Sequence, residues 1–274
     1  MNLPTYRAEL DFTYAFGRFA VIEALTRRPE DVQLVLTHGA MPPAHLAALE
    51  AAAAAVCVAV HRDDATVRRL RRKDNVHCLA QVRKRPEVLE PGNDHVLLIA
   101  PSHPGNVGTA IRSLVAFGFE DLALVNPQLD PWGAYVVRAS VGLRFALRCQ
   151  VFGTLNAYLT EHAQGGARRL YVLDAAGEHE LDAVGFRNPF TLVFGPEWRD
   201  RAATDGPGER EPGPHGSYVA GPGVPSMAGE PGADASALPP IVTVRIPQIN
   251  RVESLNLATS VSIAAYRARR PPRS

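Results

Sequence analysis

The stretch HVLLIA (95–100) is apolar from Val96 onward and offers no polar side chain to turn toward water. A strand that lies on the surface of a sheet alternates, whereas one covered on both faces does not. Further short strands are expected at DLALV (121–125), RRLYVLDA (168–175), FTLVFG (190–195) and IVTVRIP (241–247). Helical periodicity fills the gaps. NVGTAIRSLVAFG carries an apolar stripe of Val107, Ile111, Leu114 and Val115, and TLNAYLTEHA follows. The last helix repeats the pattern at Leu257, Val261, Ala264 and Ala265. Strands alternating with helices imply an α/β fold with a mostly parallel, layered sheet.

The first part of the chain carries a smaller α/β pattern. GRFAVIEALTRR has helical spacing at Phe19, Ile22 and Leu25, and VQLVLTH reads as a short buried strand. PAHLAALEAAAAA is strongly helix-forming, VCVAV reads as a second strand, and NVHCLAQV closes the unit. DDATVRRLRRK is a helix with Asp63 or Asp64 as N-cap. The expected organisation is a small α/β domain over 1–84, a charged, proline-bearing linker over 85–94, and a larger domain over 95–274. From about 201 to 240 the composition is Gly- and Pro-rich with almost no large apolar side chain, so a disordered insertion is expected.

Composition excludes several classes. The formal net charge of +1 gives no global electrostatic pull toward a nucleic acid. Three widely spaced cysteines, Cys57, Cys78 and Cys149, fit neither a disulfide framework nor a metal site, and suit a reducing cytoplasm. No run approaches the roughly 20 apolar residues of a membrane span, and the polar Met1–Glu9 stretch resembles no signal peptide. A soluble cytoplasmic protein is expected.

Three strand ends hold the chemistry. In APSHPGNVGTAIRS, Pro104 and Gly105 turn the chain, Asn106 sits as a helix N-cap would, and Arg112 follows at the edge of the apolar stripe. Neither the G-x-G-x-x-G order of dinucleotide sites nor Gly-Lys-Ser/Thr of a P-loop is present. In LVFGPEWRD, Gly195 permits close backbone approach and Glu197 supplies a carboxylate. In VRIPQINRVESLN, a strand ends at Ile246-Pro247 and Ser254, as N-cap, opens the last helix with Leu255 and Asn256. Asparagine has poor propensity inside a first turn, so the amide of Asn256 is expected to bond across a cleft.

Together and in this order, these loops resemble the SpoU/TrmH family of SPOUT methyltransferases. Asn106, Gly108 and Arg112 match its first motif, Gly195 and Glu197 its second, and Ile246, Pro247, Ser254, Leu255 and Asn256 its third. The resemblance covers roughly 94–268. FGRFAVIEAL resembles the start of the substrate-binding domain that precedes the catalytic domain in many members. The resemblance implies a parallel-sheet domain with a deep C-terminal trefoil knot, and a homodimer built on that domain. It implies S-adenosylmethionine held by Gly195, Pro196, Glu197, Ile246, Pro247, Ser254 and Leu255, with no metal. The implied reaction is methyl transfer to a ribose 2′-hydroxyl, of ribosomal RNA in preference to transfer RNA. The alternatives are the same reaction on transfer RNA and an inactive RNA-binding homologue. Trp198-Arg199-Asp200 departs from the family, where a glycine usually follows the second motif's glutamate.

Asn106, Ser254 and Asn256 are assigned to positioning, and Glu197 to orienting Arg112 or the third loop. Arg112, the family's catalytic arginine, is expected to clamp a phosphate or developing oxyanion, because a guanidinium stays protonated. RNA contact is expected from Arg18 and from the run Arg68, Arg69, Arg71, Arg72 and Lys73.

Overall fold

The computed structural model describes residues 3–71, 73–163, 168–195, 239–249 and 255–270. The expected insertion, Pro196, Glu197, Ser254 and Arg72 lie outside the described residues. The stretches that would close a trefoil knot around 196–238 and 250–254 do so too.

The first sheet is built from β1 (Phe12–Phe16), β2 (Val32–Thr37), β3 (Val60–Arg62) and β4 (Cys78–Arg83) in the order β1-β4-β2-β3. β4 runs antiparallel to both its neighbours, and β2 and β3 are parallel. Helices α1 (Arg18–Arg27), α2 (Pro43–Ala54) and α3 (Asp64–Leu70) connect them. Asp63 caps α3, accepting the Thr66 amide at 2.9 Å. Three expectations need correction. The unit opens with a strand, β1, ahead of its first helix. The strand sought in VCVAV starts only at Val60, because Cys57 takes a positive φ of 58° that ends α2 in a turn. Phe19 does not join the buried face of α1, which is Ala20, Val21, Ala24 and Leu25; it stands exposed beneath the Arg18 guanidinium.

The second sheet has seven strands in the order β7-β6-β5-β10-β8-β11-β9, all parallel. They are β5 (His95–Ile99), β6 (Asp121–Val125), β7 (Arg148–Phe152), β8 (Arg169–Leu173), β9 (His179–Glu180), β10 (Phe190–Phe194) and β11 (Ile241–Arg245). β5, β6 and β10 are buried at every residue, as uninterrupted apolar runs require. Helices α4 (Pro104–Ala116) and α7 (Leu257–Arg269) pack on one face. There the Val107/Ile111/Leu114 and Val261/Ala264/Ala265 stripes share one core. Each fully buried Leu, Ile or Phe there contributes about 1.5–3 kcal/mol. α6 (Leu155–His162) covers the other face. β7 escaped the sequence reading because it is an edge strand whose residues alternate between buried and open.

The two sheets are joined through α5 (Ala134–Ala139) and the turn after it. Val137 and Phe145 enter the core of the first unit, with Trp132 packed against it. Arg144, fully buried, donates to Glu87 at 2.6 Å and lies over the Trp132 ring at 4.0 Å. Arg28 pairs with the same Glu87, and Arg85 with buried Asp31. The segment 85–94 is thus pinned by ion pairs and by buried Leu89.

The order of strands reverses at β5 and β10. From β5 the chain steps outward through β6 to β7, then returns to the far side of β10 with β8. In open parallel sheets, ligands sit beyond the carboxyl ends of the strands at such a switch point.

Candidate functional site at the carboxyl ends of β5, β10 and β11

The chain leaves β5 through Ala100, whose φ of 47° is unusual for alanine, and leaves β6 through Asn126 at 45°. α4 then starts. Its cap position is His103, with Pro104 in the first turn, so Asn106 is the third helical residue and not the N-cap. Pro104 has no amide hydrogen to satisfy, so it suits that place.

The cap of α7 is Asn256 and not Ser254. Its Oδ1 accepts the amides of Ala258 at 2.9 Å and Thr259 at 3.4 Å. Because the oxygen faces those donors, its Nδ2 is turned away from the helix, and it donates to Asn106 Oδ1 at 3.0 Å. The expected bond across a cleft is present, and its partner is the first loop. One amide therefore caps a helix and ties the first and third motifs together, 150 residues apart in the chain. Asn106 keeps its own Nδ2 hydrogens, which no described residue accepts. Further along, Ser113 and Ser262 bond at 2.6 Å and lock α4 to α7.

Gly195 ends β10 beside Ile99 at the switch point. A Cβ there would stand 3.0 Å from Ile99 Cβ, so the backbone lies close on its neighbour while remaining open to solvent. Gly108 matters differently. A Cβ on it would meet Ala139 Cβ at 2.4 Å and the Ser140 amide nitrogen at 2.8 Å, so this glycine lets α4 approach α5. Ile246 and Leu257 pack into the core behind the site, Pro247 is exposed, and Leu255 is half-buried.

Gly195 after β10, Ile246 and Pro247 after β11, and Leu255 ahead of α7 offer backbone groups and apolar side chains and carry no charge. That donor set fits an adenosyl group held by main-chain contacts, at the strand ends where parallel sheets bind ligands.

Arg112 is exposed and makes no hydrogen bond or ion pair among the described residues. Six residues of helix turn it about 240° from Asn106, so the two do not share a face. Of the basic residues assigned to RNA, Arg68, Arg69 and Lys73 are exposed. Arg71 is not available for phosphate: only 12% exposed, it donates to the Asp74 carbonyl at 2.7 Å and pairs with the Asp74 carboxylate. Arg18 is half-buried, over Phe19. Among the described residues no helix is long and apolar enough to cross a membrane.

Residues 93–199 match the model of the SpoU rRNA Methylase family. An uncharacterized tRNA/rRNA methyltransferase of Synechocystis is 27% identical over 167 residues, which is 61% of this chain and 49% of that protein. The match therefore spans about half the length of that relative. The tRNA (cytidine(34)-2′-O)-methyltransferase of Escherichia coli is 25% identical over 64% of this chain and 90% of its own length. The crystal structure of an rRNA methyltransferase from Sinorhizobium meliloti shares the fold, with a TM-score of 0.65 and 21% identity over 96% of this chain and 88% of that one.

Proposed function

We propose that this chain is an S-adenosylmethionine-dependent RNA methyltransferase of the SpoU/TrmH family, whose model matches residues 93–199. Its target is a ribose 2′-hydroxyl, of ribosomal RNA in preference to transfer RNA. The observation that carries this reading is the Asn256–Asn106 amide pair, which joins two loops at the switch point of the sheet.

S-adenosylmethionine, when bound, supplies a methyl group on a sulfonium centre. Gly195, Ile246, Pro247 and Leu255 would hold it, and the same role is assigned to Pro196, Glu197 and Ser254. Asn106 places a free Nδ2 donor beside the rim, suited to orienting a ribose oxygen. Orientation of this kind is worth roughly 7–11 kcal/mol in favourable systems. Arg112 remains cationic and clamps phosphate or the oxygen as it becomes anionic. Its turn away from Asn106 supports a site shared between two copies, in which Arg112 serves the partner's rim. Exposed Ile263 and Tyr266 on α7, with the Tyr266 ring 5.6 Å from and tilted against Phe117 after α4, suit such a pairing. We read the return of β11 to a place beside β8, followed by α7 against α4, as the trefoil-knotted path of this family.

Two features favour ribosomal RNA. The fold shared with the Sinorhizobium rRNA methyltransferase runs through both sheets, whereas the Escherichia coli tRNA enzyme matches 64% of the chain. Arg68, Arg69 and Lys73 also give the first unit an exposed cationic edge for phosphate.

Transfer of labelled methyl to unmodified ribosomal and transfer RNA, side by side, tests the reading. Label at a ribose 2′-oxygen of ribosomal RNA is expected. It should be lost in Arg112→Ala, whose thermal stability should stay within about 0.5 kcal/mol of the parent because the side chain is exposed. Label in transfer RNA alone would reverse the substrate assignment, and no cofactor binding would overturn the activity.

A further inference from the structure

A cavity of about 310 Å³ opens where the first unit meets the second. It lies at the low end of the range for small-molecule sites, roughly 300–1,000 Å³. Tyr6, Tyr14 and Phe16 of the first unit line it, and so does Tyr135 at the start of α5. Asp130 and Ser102 add polar groups to the lining. Ser102 and Pro104, which also borders the cavity, lead directly into the first turn of α4 that holds Asn106.

The polar groups are held in place. Tyr6 donates its hydroxyl to one Asp130 oxygen, and the Trp132 amide donates to the other at 2.8 Å. Lys84 stands 3.7 Å from the same carboxylate and 4.8 Å from the centre of the Tyr6 ring. Burial first, then its bond to Asp130, pushes the Tyr6 phenol well above its ordinary value, so it remains a donor at any working pH. The carboxylate is 24% exposed and has lone pairs to spare for a donor entering from the cavity. Tyr135 is 56% exposed.

We propose that this cavity receives an unstacked nucleobase of the RNA substrate, one that flanks the modified nucleotide. The aromatic walls stack its faces, and Asp130 accepts from an N–H on its edge. Aromatic faces are sequence-tolerant platforms for single-stranded bases, while an edge carboxylate favours guanine, whose N1–H and N2–H present two adjacent donors where uracil presents one. Position supports this occupant, because the cavity and Asn106 share the start of α4, so a strand threading the cavity continues toward the carboxyl ends of the sheet. The proposal rests on the methyltransferase reading above and adds a base-binding subsite to it.

The test uses the full chain and fluorescence anisotropy with a labelled single-stranded 12-nucleotide RNA of mixed sequence, alongside the same backbone made abasic. Tyr135→Ala is expected to weaken the RNA about tenfold and to leave the abasic strand and S-adenosylmethionine affinity, read by calorimetry, within twofold. Asp130→Asn should lower affinity for guanine-rich strands more than for uridine-only strands. Because Asp130 also holds Tyr6, Tyr135→Phe serves as the folding-neutral control and should retain parental affinity. Equal loss on intact and abasic RNA would overturn base stacking, leaving only a backbone contact. Unchanged RNA affinity in Tyr135→Ala, with S-adenosylmethionine still bound, would overturn the subsite without touching the proposed activity. Failure of the parent chain to bind S-adenosylmethionine would instead strike the activity itself. Tighter binding of free tryptophan or another small aromatic than of RNA would assign the cavity to a different ligand and overturn the proposal.

Discussion

The two ends of the second sheet are built from opposite materials. At the amino ends of the strands, charge is buried and fully matched. Asp121 takes two bonds from Arg148 at 2.7 Å each, one from Asn93 at 2.8 Å and one from the Glu90 amide at 3.1 Å. Asp94 holds Arg269 at 2.8 Å and the Phe190 amide at 3.0 Å. Arg168 spends its guanidinium mostly on carbonyls, including Phe190 at 2.8 Å and Pro91 at 2.7 Å. His95 Nδ1 meets the Tyr158 hydroxyl and Nε2 meets the Glu90 carbonyl, each at 2.9 Å. The second nitrogen must donate to that carbonyl, so the first accepts from tyrosine, which fits a neutral ring. At the carboxyl ends, by contrast, stand amides, a bare glycine and alanine and asparagine at positive φ. Displaced pKa values are a guide to function only when such matched structural networks are set aside. Here the amino end, with its buried charge, fastens the chain, and the carboxyl end, whose Arg245–Glu180 ion pair lies partly exposed, is the one we propose for the cofactor.

This division makes the two ends separable by mutation. The largest effect is expected from Asp121→Ala, which removes the buried acceptor shared by Arg148, Asn93 and the Glu90 amide. A loss of about 3–5 kcal/mol in urea-induced unfolding is predicted, with S-adenosylmethionine affinity of the folded fraction unchanged. A parallel loss of cofactor affinity would show that the ends are coupled.

The next effect is one of pH. Burial first, then the nearby Arg168 charge, lowers the His95 pKa from 6.5 to about 4. The unfolded chain then binds a proton that the folded one refuses between those values. The stability this supplies is complete above pH 6.5 and is lost as pH falls toward 4, by about 3 kcal/mol. Burial raises the Asp121 carboxyl, but bonds from Arg148 and Asn93 outweigh it and hold it below its ordinary value, so its own contribution fades at still lower pH. Unfolding curves of His95→Gln should be flatter from pH 7 to 4 than those of the parent; parallel curves would refute the assignment.

A smaller change in stability, with a large change in turnover, is expected at the other end. Asn256→Asp keeps an oxygen for the Ala258 and Thr259 amides and loses the donor to Asn106. Stability should shift by less than about 1 kcal/mol while methyl transfer falls about 100-fold. Asn256→Ala should lose the cap as well. If Asn256→Asp turns over like the parent, the tie between the loops has no catalytic weight.

The division also explains what the sequence could disclose. Uninterrupted runs such as HVLLIA and FTLVFG announce strands buried on both faces, and the Val107/Ile111 and Val261/Ala265 stripes announce the helices over them. Motif residues at strand ends were legible because they are polar where packing asks for nothing polar. Edge strand β7 was not, since a half-open strand with Arg148 and Gln150 looks like loop. Nor could spacing reveal that Asn256 would take the cap from Ser254, because both are good capping residues and only the reach to Asn106 separates them. The fastening of the charged segment 85–94 was not legible, because a matched buried pair such as Glu87–Arg144 is indistinguishable, in sequence, from solvated charge.

Hydrogen exchange with and without S-adenosylmethionine tests the placement of the site most directly. Added protection is expected at amides from Ile99 to Val107, at Gly195 and from Ile246 through Thr259, with little change at His95, Asp121 and Arg148. Protection concentrated at the amino ends of β5, β6 and β7 would contradict a cofactor site at the switch point.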